Sequence, residues 1–407
     1  MSTQEKLEFK KLWVLMVTAV IDMIGFALIV PLLPFYATEF GADAFTVGLL
    51  MASFAVGTMV TAPLWGRVSD RFGRKPVLMV AQAMSAVAFL VFAFSDSIWL
   101  LFLSRFLQGV GGGSIGAVSA WVSDSVRPEE RAQALGWITA ATSAGVMLGP
   151  AIGSLTVGIS RHAPGLIAAA LCGVNLLFTW HWLTESRSAA TKEAAKTKKP
   201  VSGQVLAVVT HPARPIHSLI WIYTAGMMAF MAQGSVMALY LAHRFAVTEK
   251  TVGYFYVATG LVALVMRGLI LGPMVRAYGE VRVLRLGAVS LGIGMIGLTL
   301  APNLPLFVVL MALVPTGTAL LFPCTTSLIT RYAPPDAVGQ TVGVQQSFGG
   351  LSRLLAPIWA GASFQAIGPR WPFWIAGVLV LATAAFSLRL KPGEAPLPRG
   401  AEGVAES

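Results

Sequence analysis

The chain has 407 residues, of which 56% are hydrophobic and 12% charged, with a formal net charge of +11. A water-soluble domain carries roughly 25% charged residues, so this composition excludes an ordinary soluble enzyme or binding module. It also excludes a nucleic-acid partner, because a basic footprint needs a folded soluble face to carry it.

The apolar residues come in runs of about 20, each long enough at ~1.5 Å per residue to cross a ~30 Å hydrocarbon core. In chain order they predict spans over 11–36, 45–65, 76–95, 98–121, 133–157, 164–183, 215–242, 250–272, 283–301, 305–331, 337–362 and 371–390. The fold class this gives is an all-α polytopic membrane protein with twelve transmembrane helices. The first span is too long for the apolar stretch of a signal peptide and carries Asp22, so it is expected to stay in the mature protein. Cys172 and Cys324 both fall inside spans, where a free cysteine is a small packing residue and not part of a disulfide or metal framework.

Lys and Arg concentrate on alternate connections, among them Arg67 to Lys75, Arg127 and Arg131, and the run from Arg187 to Arg214. The opposite set of loops holds Arg161, Arg244, Lys250 and Arg370. The positive-inside rule then puts both termini in the cytoplasm of a multi-pass protein of the cell inner (plasma) membrane. The expected domains are a six-helix bundle over 1–183, a cytoplasmic linker over 184–214 with a short surface helix near Lys192 to Lys198, a second six-helix bundle over 215–390, and a disordered cytoplasmic tail over 391–407. The halves are repeats: Gly66 and Gly73 fall on Gly272 and Gly279, and Pro128, Gln133, Gly136 and Pro150 fall on Pro335, Gln340, Gly343 and Pro357. Two pseudo-symmetric bundles with a binding site at the midplane follow from such repeats.

Certain residues carry chemistry. Asp22 is the acid that lies in mid-span, about eleven residues into span one, where a charge costs at least ~2.5–3.5 kcal/mol. A carboxyl there can be neutral in one part of a cycle and ionised in another, as proton coupling requires. Gly25, Phe26 and Ile29 share its helix face. In span four, Arg105 opens the run Arg105-Phe-Leu-Gln-Gly-Val-Gly-Gly-Gly113. Arg353 is expected to line a cavity from span eleven, and Arg267 to snorkel to the inner interface. Mid-span polar or aromatic residues supply the rest of a candidate substrate cavity: Phe26, Gln108, Tyr223, Gln233, Tyr256, Phe322, Gln345 and Gln346. Each of these serves equally as helix-to-helix glue.

The loop Gly66-Arg-Val-Ser-Asp-Arg-Phe-Gly-Arg-Lys75 resembles the signature loop of the major facilitator superfamily, and the likeness extends from Asp22 to span twelve. It implies a cytoplasmic gate made by Gly66, Asp70, Arg71, Gly73 and Arg74, with Arg74 pairing to Asp124 at the end of span four. The second copy keeps Arg276 and Glu280 in inverted charge order, so only the first half is expected to carry a full latch. The segment Gly145-Val-Met-Leu-Gly-Pro-Ala-Ile-Gly153 resembles the span-five motif of the drug–proton antiporter branch, with Gly145, Gly149, Pro150 and Gly153 as its marks. The likeness also links Arg105 to proton transfer at Asp22. Span one is similar to that of tetracycline and multidrug exporters. Tetracycline exporters carry a further acid in span three where this chain has Gln82, so tetracycline is not the expected substrate.

The function these readings imply is proton-coupled export of amphipathic small molecules by alternating access; the alternative is a facilitator or symporter for a metabolite or lipid. No enzyme activity, metal or cofactor is expected, the proton gradient being the drive. The expected partners are the small-molecule substrate, protons and membrane lipids, and the expected state is a monomer.

Overall fold

The computed structural model describes residues 3–113, 118, 121–122, 131–183, 202–212, 214–334 and 337–389. Among these, all regular structure is helical. The first helices are α1 (Thr3–Ile29), α2 (Leu33–Glu39), α3 (Ala44–Phe72), α4 (Arg74–Ala93), α5 (Ile98–Val110), α6 (Arg131–Val157), α7 (Ala163–Trp182) and α8 (Ser202–Thr210). There follow α9 (Pro215–Phe245), α10 (Val252–Val265), α11 (Leu271–Tyr278), α12 (Glu280–Leu298), α13 (Leu304–Met311), α14 (Leu313–Tyr332), α15 (Val338–Ala366) and α16 (Trp371–Ala384).

Among the described residues, 10 helices are long and apolar enough to cross a membrane. The two remaining expected spans fall outside that set for different reasons. Span four is described over α5 and a short 3-10 turn, Gly111–Gly113, and most of its continuation lies outside the described residues. Span eleven, α15, has the length at 29 residues but carries Gln340, Gln345, Gln346, Arg353 and Gln365. Three spans are also less regular than their sequences suggest. Span one stops at Ile29 and restarts at Leu33, where Pro31 and Pro34 remove backbone donors. Span eight contains a π turn, Met266–Ile270, and span ten is interrupted at Ala312.

The chain divides into two compact units, residues 1–198 with 241–260 and residues 199–240 with 261–407. In the first unit α1 packs along α6 and α7. The α6 contact is made by glycines four apart. A Cβ on Gly145 would sit 2.6 Å from the Val20 carbonyl oxygen, and one on Gly149 would sit 2.8 Å from that of Ile24. Gly153 meets the Leu28 carbonyl in the same way. Lipid offers no hydrophobic drive for helix association, so backbones must approach closely to gain van der Waals contact, and small residues permit that. Gly57 and Gly109 do the same where α3 crosses α5. Residues 241–260 are tied in through Ser154, whose hydroxyl donates to the Glu249 carbonyl at 2.8 Å and accepts from the Gly253 amide at 2.8 Å.

In the second unit α12 lies between α14 and α16, again through glycines: Gly287 against Gly317, and Gly292 against Gly377. The last part of the expected 184–214 linker is the helix α8. It is held by Trp221, whose indole N–H donates to the Val208 carbonyl at 3.2 Å.

Candidate functional site

Asp22 lies in α1 and is half-buried. The Asn175 side-chain amide from α7 donates to Asp22 Oδ1 at 2.7 Å and to the Thr18 carbonyl at 3.1 Å. Close packing of α1 on α7 makes that reach possible, with Asn175 itself fully buried. One turn further along α1, Phe26 stands 5.2 Å from Phe54, ring centre to ring centre. The Arg105 guanidinium lies 5.8 Å from the Phe26 ring and 5.0 Å from the Phe54 ring. It also donates to Gln108 Oε1, one turn along α5. Arg105 is only 3% exposed, so two aromatic faces and an amide replace the water its charge has lost.

Arg105, Gln108, Phe26 and Asp22, all singled out from sequence, are thus arranged on neighbouring turns of one unit. Asn175 and Phe54 were missed. Asn175 had a readable signal, an amide inside an apolar span. Phe54 had none, being one aromatic among many apolar neighbours.

The loop between α3 and α4 turns on Gly73, whose φ of 104° suits glycine and strains other residues. Gly66 takes no part in the turn: it lies inside α3, and a Cβ there would meet nothing within 4 Å. Arg74 pairs with Asp70 at 3.3 Å and donates to Ser69 Oγ at 2.7 Å. Arg71 lies 5.3 Å from the Phe72 ring. Lys75 caps the far side by donating to the Trp180 carbonyl of α7 at 2.7 Å. Asp124, the expected partner of Arg74, lies outside the described residues.

The corresponding loop of the second unit is not simply degraded. It turns on Gly279, with φ 78°, and Glu280 accepts from Ser327 Oγ at 2.7 Å and pairs with Arg331 at 3.1 Å. An acid on the loop tied to a base at the end of α14 is the charge-reversed form of the expected Arg74–Asp124 tie.

Of the cavity candidates in the second unit, Tyr223 and Phe322 stand 5.4 Å apart. Gln346 hydrogen-bonds the Tyr223 hydroxyl, which also lies within range of the Arg353 charge, and the Gln346 and Arg353 side chains are both exposed on α15. Gln345 is fully buried and donates to Thr326 Oγ1 at 2.8 Å, which makes it a tie between α15 and α14. Gln233 is buried in α9. In the first unit, the Tyr256 hydroxyl is buried with no hydrogen-bond partner among the described residues. Arg267 is exposed on the π turn of span eight.

Apolar spans, a loop motif repeated at the same place in each unit and a polar site inside the first unit define a membrane transporter. The sequence pattern of the Major Facilitator Superfamily matches residues 15–270 and 219–407. The chain belongs to that superfamily.

Among curated relatives, it is 28% identical over 364 residues to the tetracycline resistance protein, class B, of Escherichia coli, covering 88% of this chain and 90% of that one. It is 26% identical over 379 residues to multidrug resistance protein 2 of Bacillus subtilis (strain 168), covering 92% and 94%. The fold matches the crystal structure of the human organic anion transporter MFSD10 (TETRAN) with a TM-score of 0.71 at 22% identity, covering 93% of this chain and 99% of that one. It also matches an inward-facing bacterial homologue of the human lysosomal transporter Spinster, with a TM-score of 0.75 at 14% identity, covering 93% and 95%.

Proposed function

We propose that this transporter exports amphipathic small molecules from the cytoplasm of a bacterial cell in exchange for protons, with both termini on the cytoplasmic side of the inner membrane and Asp22 as the coupling carboxyl. The observation that carries the reading is a half-buried acid in the middle of span one, held by the Asn175 amide and one turn from the Phe26–Arg105 contact. An ionisable group at that depth is retained at a cost, and a proton relay is a function that needs it. Each charge crossing 100 mV contributes ~2.3 kcal/mol, enough to drive accumulation against a gradient.

Substrate recognition is assigned to the face of α15 that carries Gln346 and Arg353, together with the Tyr223–Phe322 pair. An exposed arginine and amide on a membrane helix are satisfied by an aqueous cavity and not by lipid tails. Aromatic walls with a few polar groups suit an organic molecule that is partly apolar. The Asp70–Arg74 loop would hold the cytoplasmic gate. The names of the tetracycline and multidrug resistance relatives support export of a toxic compound as the physiological task.

The test is a resistance screen in a pump-deficient bacterial host expressing the chain or its Asp22→Asn variant. Wild type should raise the inhibitory concentration of at least one amphipathic compound, and Asp22→Asn should lose that protection at equal expression in the membrane. Equal protection by the variant would remove Asp22 from the mechanism.

A further inference from the structure

The first unit buries a string of polar side chains among its apolar helix contacts. Thr18, Asn175 and Thr179 are each 0% exposed and Gln82 is 1% exposed, and they come from α1, α7 and α4. Asn175 bridges Asp22 Oδ1 and the Thr18 carbonyl. One turn along α7, Thr179 Oγ1 accepts from the Gln82 amide at 3.1 Å. Thr18 Oγ1, Asn175 Oδ1 and Gln82 Oε1 are buried and have no hydrogen-bond partner among the described residues. Three orphaned oxygens so close in the fold are a costly arrangement unless something else satisfies them. Buried water does so where it finds two to four polar groups, and these oxygens with the Thr179 hydroxyl supply them.

The string has a direction. From Asp22, Thr18 lies one turn toward the start of α1, and from Asn175, Thr179 lies one turn toward the end of α7. Beyond Thr179, the Trp180 carbonyl already accepts from Lys75 at the start of α4, and Gln82 is about two turns from Lys75 along α4. All three helices therefore step toward the end of the unit that carries the Asp70–Lys75 loop.

We propose that Thr18, Asn175, Thr179 and Gln82 position a short file of buried water through which Asp22 exchanges its proton with the cytoplasm. This rests on the reading of Asp22 as the coupling carboxyl and of the loop end as cytoplasmic. In the release step the carboxyl O–H breaks as an O–H forms on the nearest water, and the farthest water gives a proton to bulk, so protons balance. The amides and hydroxyls orient the water and are not themselves consumed. Cys172 of α7 is a titratable group within range of the Asp22 charge. Arg105 of α5 lies over Phe26, one turn away, and α6 faces α1 with glycines.

The test uses the full-length chain reconstituted with its cytoplasmic face outward and a pH jump as the probe. Asp22 is followed by the infrared carboxyl band that Asp22→Asn removes. Gln82→Leu and Thr179→Val should slow the band's response to the jump at least about tenfold while leaving its titration midpoint in place. Gln82→Asn, which keeps an amide, should recover part of the rate, and Gln82→Met replaces Leu if packing is disturbed. Responses as fast as wild type in both variants would overturn the water file and leave the coupling role of Asp22 standing. A wild-type chain whose Asp22 band does not titrate would remove the coupling role and the file with it.

Discussion

Arg105 shows how narrowly a single side chain is specified here. Its guanidinium is buried, lies 5.0 Å from the Phe54 ring and 5.8 Å from the Phe26 ring, and donates to Gln108. A planar cation packs against aromatic rings in a way that an ammonium does not, and a desolvated cation–π contact is worth about 2 kcal/mol. Arg105→Lys keeps the charge, yet is expected to lower transport by about tenfold or more, the rate equivalent of ~1.4 kcal/mol. Substrate flux normalised to protein in the membrane checks this, and wild-type flux would show that charge alone suffices. The i,i+3 relation of Arg105 and Gln108 was readable from sequence, as was the oddity of Asp22 in an apolar run. The Asn175 contact was not, because a lone amide in a span is as often a helix tie as a functional group, and only the approach of α7 to α1 decides between them.

Helices carry the next set of expectations. The Gly145, Gly149 and Gly153 motif was legible as a small-residue face, but its partner was not, since sequence cannot say which helix crosses it. The structure brings that face against the backbone of α1 beside Asp22, so the motif fixes the element that holds the carboxyl. Gly149→Ala puts a Cβ 2.8 Å from the Ile24 carbonyl oxygen, an overpacking that costs about 1–3 kcal/mol. Gly136→Ala, where a Cβ meets nothing within 4 Å, serves as the control. Thermal unfolding in detergent should lower the midpoint for the first and leave the second unchanged or slightly raised, since Ala favours a helix interior over Gly.

Helix α3 is capped by Asp43, which accepts from the Thr46 amide at 2.7 Å, and that bond holds its carboxyl below the ordinary value of 3.8. Asp43→Ala should cost about 1 kcal/mol at neutral pH. A lowered carboxyl contributes stability above its unfolded value and loses it as pH falls through the folded one. The ionic part of the difference between variant and wild type should therefore close below pH 3.8. A pH series of unfolding midpoints reads it, and a gap that widens in acid would contradict the capping role.

At the scale of the molecule, repeats in the sequence predict two related halves, and charge bias predicts that both termini face the cytoplasm. What the repeats concealed is how differently the halves are finished. The second loop looked degraded when compared residue by residue with the first. Its acid instead reaches Arg331, 51 positions further along the chain, a partner that a comparison within the loop could not find. Both units thus carry a tied loop turning on a positive-φ glycine, while the mid-span acid belongs to the first and the exposed polar face of α15 to the second. Under the proposed function, that division assigns the proton to one unit and the larger share of substrate recognition to the other.

The decisive experiment is proton movement driven by substrate alone. Proteoliposomes holding the purified chain and an internal pH dye, loaded with a compound identified in the resistance screen and diluted into compound-free buffer at equal pH, should move protons opposite to the compound in wild type and none in Asp22→Asn. Protons moving with the compound, or no proton movement in wild type while the compound still crosses, would contradict proton-coupled export.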